Sequence, residues 1–397
     1  MGNCVAHLSQ PRKILFIETE KELIGIKFND LFTQPEWNGG ANVGFAPVFY
    51  RLNLLKSIKG KSIVGMKHVT LNANVYLLGG ETLNSEAAAL DRNYVSNNPN
   101  SYIGSSNRVF RLSVEQNKFS VKTTSHIKNL LYGKCSPMVE KINGKIYVLE
   151  GAPYLRNHNL NGPFEVYDPR EEYFSMLACP PPYLSDPQGT IIGHFILGNK
   201  FIVFERKFDG GMGGYSYDTR RANEWVVLHP NVIASFMSMG SSLLPIGGIC
   251  VSFFPQLRNN GMELFLTREG IEEGYALVVN STSGSLMYYQ SLMEVFRQRF
   301  PCTSSGQRIH LNNGRNYFFA LSHNLLCAIW VAFDHDRLLR LFITTFELEL
   351  SLNPRIRVSP HHPTQTQILN ARNIHNWDYV VPNDEAYSSR IFDTFLH

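Results

Sequence analysis

Three stretches of the 397-residue chain carry side chains of a kind that performs chemistry. Gly60-Lys61-Ser62 matches the end of a phosphate loop, in which backbone N–H groups and a lysine cradle a nucleotide's phosphates. That pattern needs an earlier glycine where Leu55 stands. Gly210-Gly211-Met212-Gly213-Gly214 is glycine-rich, but Tyr215-Ser216-Tyr217-Asp218 behind it reads as strand. A phosphate cradle needs a helix N-terminus there, so this stretch reads as an inter-strand loop. Asp334-His335-Asp336 has ligand-type side chains. Consecutive residues of a tight turn rarely converge on one ion without distant partners, so it reads as a solvated turn. His361-His362 reads as surface. The sequence holds no H-E-x-x-H, no G-x-S-x-G and no G-x-G-x-x-G opening a helix. No cofactor and no metal ion is expected.

Met1-Gly2-Asn3-Cys4 has the form of an acylation start, with a myristoyl group on Gly2 and a palmitoyl group on Cys4. The pattern wants Ser or Thr at the sixth position, and Ala6 is there. The alternative is a frayed terminus over residues 1–13. The net charge of +4 is spread without a Lys/Arg block, which leaves no electrostatic footprint for nucleic acid. None of the six cysteines forms a C-x-x-C pair. Cys250 and Cys327 sit inside apolar runs and read as buried thiols, which points to a reducing compartment, cytoplasmic or nuclear. Asn280-Ser281-Thr282 matches a glycosylation sequon, with nothing else pointing to secretion. No apolar run has the length of a membrane-spanning helix.

The elements that would position these residues are short strands. Ser136–Gly151 is two β-type runs flanking Asn143-Gly144, and both turn residues accept the positive φ of a tight hairpin. A loop follows, then the strand Phe164–Asp168, a polar turn, and an aromatic opening a fourth strand at Tyr173-Phe174. The hairpin recurs at 69–80 and 195–204, and more weakly at 243–253 and 318–330. The third strand recurs as well: Ser113 precedes Phe119, Asp168 precedes Phe174 and Asp218 precedes Trp225 at similar spacing. Four antiparallel strands recurring about every 50 residues are the signature of a propeller.

The glycine doublet Gly79-Gly80, its partial copy Glu150-Gly151, the pairs Tyr167-Asp168 and Tyr217-Asp218, and Phe174 or Trp225 behind them make the chain resemble the kelch repeat. It is similar in particular to the degenerate kelch propellers common in plants, over residues 62–230 and less so over 235–351. The resemblance implies an all-β, kelch-type β-propeller of six blades, each of four antiparallel strands. The expected ring covers 14–360, with blades at 62–122, 134–178, 189–230, 240–290 and 315–358. Strands at 14–17, 23–28 and 48–54 form the first blade, some pairing with C-terminal strands to close the ring. A short helix is expected at 291–299, and 361–397 reads as a tail packed on or extending from the ring. Many relatives carry an F-box module; none is expected before Ile14. Plant specifier proteins of this type hold iron with E-x-x-x-D-x-x-x-H, and Glu86 and Asp91 do not match that spacing.

The second-to-third-strand connections vary in length, whereas the hairpins repeat. They are read as 81–107, 152–162, 206–214, 255–261 and 334–337. They carry Arg92, Tyr94, Tyr102, Tyr154, Arg156, His158, Arg206, Lys207, Asp209, Arg258 and His335. Arg and Tyr anchor interfaces because each combines contact area with directed hydrogen bonds. Two readings follow. One is a protein-interaction module of adaptor or substrate-recognition type, using this loop face. The other is a small-molecule binder or enzyme with a site at the channel mouth. Propellers host both, and the missing nucleophile, base and metal set favours the first. A far-UV circular dichroism spectrum should be dominated by strand; more than about a quarter helix would contradict the fold.

Overall fold

Six apolar runs explain the architecture: Ile14–Ile17, Val75–Leu78, Ile146–Leu149, Phe201–Phe204, Leu264–Leu266 and Leu326–Val331. None alternates with polar residues, as a strand with one wet face would. Each is buried along its length. The computed structural model shows why. It describes residues 14–19, 22–27, 49–53, 62–71, 74–83, 102–115, 118–122, 128–134, 137–150, 164–181, 190–207, 209–221, 224–237, 249–251, 255–266, 275–292, 315–321, 325–333, 339–350, 369–381 and 391–396.

The first blade begins with β1 (Ile14–Thr19), β2 (Glu22–Lys27) and β3 (Phe49–Asn53). The second is built on β4 (Ser62–Val64), β5 (Lys67–Leu71), β6 (Asn74–Leu78), β7 (Glu81–Leu83), β8 (Tyr102–Ser105), β9 (Val109–Glu115) and β10 (Lys118–Lys122). Blade three is β11 (Met138–Ile142), β12 (Lys145–Leu149), β13 (Phe164–Asp168) and β14 (Tyr173–Met176). Blade four is β15 (Thr190–Leu197), β16 (Lys200–Arg206), β17 (Met212–Asp218) and β18 (Trp225–Val227), followed by helix α1 (Pro230–Met237). Blade five is β19 (Ile249–Val251), helix α2 (Pro255–Asn259), β20 (Met262–Leu266), β21 (Tyr275–Asn280) and β22 (Leu286–Ser291). Blade six is β23 (Arg315–Ala320), β24 (Leu325–Phe333), β25 (Leu339–Leu350) and β26 (Leu369–Val381), and β27 (Ile391–Leu396) ends the series.

The sheets are antiparallel meanders, with β27 pairing against β1 to complete the first blade in the order β27-β1-β2-β3. A three-stranded sheet, β4-β7-β8, continues the second blade beyond Gly65 and the Gly79-Gly80 doublet. The described residues thus form an all-β propeller of six four-stranded blades.

Each second strand divides its side chains between two seams. Ile14 and Phe16 pack on the second blade, whereas Leu15 and Ile17 pack on the sixth. Ile146 and Val148 face blade two, and Tyr147 and Leu149 face blade four. Phe201 and Val203 face blade three, and Ile202 and Phe204 face blade five. Leu326, Ala328 and Trp330 face blade five, and Cys327, Ile329 and Val331 face blade one. The period-2 geometry of a strand makes this division, and six apolar seams close the ring.

Aromatics span the seams. Tyr76 of blade two meets Tyr167 of blade three with ring centroids 6.0 Å apart. One blade on, Tyr147 meets Tyr217 at 6.4 Å. Within each blade the third-strand tyrosine packs on the fourth-strand aromatic, Tyr167 on Phe174 at 5.1 Å and Tyr217 on Trp225 at 5.4 Å. Burial pushes the hydroxyls of Tyr167 and Tyr217 up to about 12.

The Asn143-Gly144 turn has φ values of 53° and 75°, as a tight hairpin requires. Asp168 and Asp218 each close the turn into the fourth strand. Asp168 Oδ1 accepts the Arg170 N–H at 3.0 Å, and Asp218 Oδ1 accepts the Arg220 N–H at the same distance. Lys145 Nζ lies 2.8 Å from Asp168 Oδ2. The Lys145 hydrogen bond and the Arg170 N–H hold the Asp168 carboxyl below its ordinary range.

Three expectations change. The segment 361–397 supplies β26 and β27, so the ring draws two strands from what reads as a tail, and blade six runs to 381 rather than 358. Backbone pairing over twelve registered positions fixes β26 on β25 without an apolar run to announce it. In blade five the first strand pairs with 262–266, not across Gly247-Gly248, which precedes β19 and lies outside the described residues together with 293–299.

Asp168→Ala should cost about 1–2 kcal/mol, because it strands a turn N–H and removes a half-exposed ion pair. A folded-state pKa below the unfolded value stabilises above the unfolded pKa. That contribution should fade as pH falls through the folded pKa and be missing from the variant's melting profile. An absorbance titration should find two tyrosines still protonated near pH 11, and stability should decline as pH climbs past about 10, where the unfolded chain's tyrosines ionise first.

Candidate interaction face

An antiparallel meander sends its first-to-second and third-to-fourth turns to one end of the ring. Its second-to-third connections and the crossings between blades go to the other. The β16–β17 connection is described except for residue 208. Lys207 N–H donates to Gly211 O at 2.8 Å and Gly210 N–H to Lys207 O at 3.0 Å, with Gly210 at φ 82°. Asp209 Oδ1 accepts the Gly211 N–H at 2.8 Å. This is a closed turn, and Arg206, Lys207 and Asp209 are all exposed on it.

The glycine-rich stretch divides in two. Gly210 and Gly211 shape the turn, whereas Gly213 and Gly214 belong to β17. A Cβ on Gly213 would stand 3.0 Å from Glu205 Oε2 and 3.3 Å from the Tyr215 hydroxyl. A Cβ on Gly214 would stand 2.8 Å from Leu228 Cδ1 and 3.2 Å from Ile233 Cγ1. The space left by Gly213 admits the buried Glu205 carboxylate, which accepts the Tyr215 O–H at 3.2 Å. That left by Gly214 admits helix α1, whose Val232 and Phe236 join the seam between blades four and five.

Arg258 is not on this face. It lies exposed on α2, between the first and second strands of blade five, and so at the opposite end of the ring. Pro255 opens that helix and Gly261, at φ 66°, ends it before β20. The second-to-third connection of blade five is instead 267–274. Arg92, Tyr94, Tyr154, Arg156, His158 and His335 lie outside the described residues, as do Gly2 and Cys4. Tyr102 opens β8.

The crossing from blade two to blade three comes down on the same end, and the sequence reading passed it over. Gly80 N–H donates to Lys134 O at 2.9 Å, and a Cβ on Gly79, at φ 69°, would stand 2.8 Å from that carbonyl. The Gly79-Gly80 doublet therefore lets the crossing dock on blade two. Its Leu130-Leu131-Tyr132 run carries no turn, repeat or motif signal in the sequence.

On chemistry the described residues are quiet. No three His, Cys, Asp or Glu side chains among them gather as a metal would need. Burial pushes the half-buried Cys179 thiol up to about 11, which keeps it un-ionised at neutral pH. Glu140 and His194 bridge the first strands of blades three and four at 3.1 Å, with the imidazole stacked on Phe201. No helix among the described residues is long and apolar enough to cross a membrane.

No family model matches the chain. A protein of Arabidopsis thaliana described as an F-box/kelch-repeat protein is 27% identical over 99 residues, which is 25% of this chain and 22% of that protein. The chain therefore spans under a quarter of that relative's length. Among solved structures it is similar to YjhT, at 11% identity and TM-score 0.44, covering 89% of this chain and 91% of that one. A variant of AofleA from Arthrobotrys oligospora gives 8% identity and TM-score 0.39 over 91% and 82% of the two chains. The Dos1 propeller gives 10% identity and TM-score 0.33 over 84% and 86%.

Asp209→Ala should open the 207–211 turn by stranding the Gly211 N–H, at a cost of about 0.5–1.5 kcal/mol. Gly213→Ala, which drives a Cβ against the Glu205–Tyr215 pair, should lower the melting temperature further than Asp209→Ala does; the reverse order would show that the pair is not held as described.

Proposed function

We propose that this kelch-type propeller is a protein-interaction module, of adaptor or substrate-recognition type, that presents the second-to-third-strand end of the ring to a protein partner. The observation that carries the reading is the closed Arg206–Gly211 turn, which holds two exposed cations on a rigid strand pair. Rigid presentation lowers the ordering cost of binding. The kelch-repeat relative supports the class of function, and the connections of the same type in blades two, three and six add Arg92, Tyr94, Tyr154, Arg156, His158 and His335 to the proposed surface. The cytoplasm or nucleus is its proposed location, in keeping with the free thiols of Cys179 and Cys327.

The test is binding to a purified partner obtained by affinity capture. Arg206→Glu with Lys207→Glu should leave the melting temperature within a degree or two, because neither side chain is buried. Affinity should drop at least tenfold, about 1.4 kcal/mol. Arg258→Glu, on the other end, should bind as the wild type does. Loss of binding in Arg258→Glu alone would move the interface to the opposite face.

A further inference from the structure

Where blades two and three meet, one buried charge is paired: Lys134 Nζ lies 2.7 Å from Glu165 Oε1, and both side chains are fully buried. Arg111 differs. It stands opposite Tyr76 in the β6–β9 pair, and so on the face of blade two that looks at blade three. The residue is partly buried, and its Nε–H is buried without an acceptor. Its side chain has no hydrogen bond or ion pair among the described residues. A buried donor left unmade costs stability that the fold does not recover from it.

Glu172, across the seam, is uncompensated in a second way. It closes the β13–β14 turn, where its N–H donates to Asp168 O at 3.0 Å, and its φ is 58°. That conformation favours glycine, and a side chain there is strained. The other acids of the turn are occupied, Asp168 by Lys145 and Arg170 and Glu171 by the Tyr173 hydroxyl. The Glu172 side chain is exposed and has no partner among the described residues. Strain that no contact offsets points to a function carried by the side chain.

Both residues converge on one tyrosine pair. Tyr76 and Tyr167 lie with ring centroids 6.0 Å apart. Burial raises both hydroxyls, so each is a donor at neutral pH. Of the two charges, Arg111 acts more strongly on Tyr76 and Glu172 more strongly on Tyr167, which sets a cation and an anion on opposite sides of the pair. The Tyr76 hydroxyl is engaged with the Asn74 side chain, whereas that of Tyr167 has no partner among the described residues. Glu172 repels a lone anion and Arg111 a lone cation. A ligand that carries both charges, a tyrosine pair apart, satisfies both. Two residues of extended chain span at most roughly 7 Å, so the termini of a dipeptide have the right separation. We propose that the seam between blades two and three binds a dipeptide-type zwitterion, its carboxylate on Arg111, its ammonium on Glu172 and its peptide carbonyl accepting from the Tyr167 hydroxyl. The site opens at Glu172, on the end of the ring opposite Arg206 and Lys207, and is separate from the interaction face.

The probe is glycylglycine, titrated into the full chain at neutral pH and followed by ligand-observed NMR. It should bind at least about tenfold more tightly than N-acetylglycylglycine, which lacks the ammonium, or glycylglycinamide, which lacks the carboxylate. Arg111→Gln and, separately, Glu172→Gln should each weaken it about tenfold, and Arg206→Glu with Lys207→Glu should not. Because the fold does not use the two charges, Arg111→Gln should leave the melting temperature within a degree or two. Glu172→Gly should raise the melting temperature while losing the ligand. Absence of glycylglycine binding, equal binding of either blocked form, or indifference to both glutamine variants would overturn the inference. A fall in melting temperature in both Arg111→Gln and Glu172→Gly would overturn it too, by showing that the fold itself holds the charges. A captured protein partner lost with the glutamine variants, where glycylglycine does not bind, would overturn it in favour of charges borne by a protein.

Discussion

The rest of the structure depends on the burial of both faces of each second strand. A strand such as Ile146–Leu149 has no face left for water, so its sheet needs a neighbour on either side. Six sheets in a line would leave two such faces open at the ends. Here Leu15 and Ile17 meet Cys327, Ile329 and Val331 while Ile14 and Phe16 meet Val75 and Leu77, so the chain's two ends are joined in one core. Pairing of β27 with β1 adds hydrogen bonds to the same junction. Closure removes two sheet edges that would otherwise invite non-native pairing.

A closed ring gives rigid ends, and the two ends are built differently. At one, the third-to-fourth turns of blades three and four are capped by their own side chains, Asp168 and Asp218, and helix α2 lies at the same end. At the other, the connections differ in length and the crossings dock by glycine-enabled contact, at Gly79-Gly80 and at Gly133. At the first end, Asn143 Nδ2 reaches Thr219 Oγ1 of the next blade at 3.3 Å. The other end carries the exposed side chains of Arg206 and Lys207. Surface substitutions at the end that carries Arg206 and Lys207 should leave the seams alone.

Much of this was legible in the sequence where local signals coincide. Asn143-Gly144 has the positive φ of its turn, the apolar runs are the second strands, and the Tyr-Asp pairs stand where the third strand turns into the fourth. Signals that are not local were lost. Gly247-Gly248 resembles a hairpin turn, but the partner of β19 begins only at Met262, beyond an intervening helix, and that slip sent Arg258 to the wrong end. Leu369–Val381 has no apolar run because an outermost strand is specified by its register on β25. The Lys134–Glu165 pair joins residues of different blades, and nothing in either neighbourhood marks it. The candidate face was therefore readable as a topological position, and much less so as a set of side chains.

Native-state hydrogen exchange of the β1 amides, Leu15 to Glu18, tests ring closure most directly. These residues lie between β27 on one side and β2 on the other, so their amides should exchange in the slowest class, with β12 of the third blade. Rapid exchange in β1 while β12 stays protected would show that residues 391–396 do not complete the first blade, and that the ring is open.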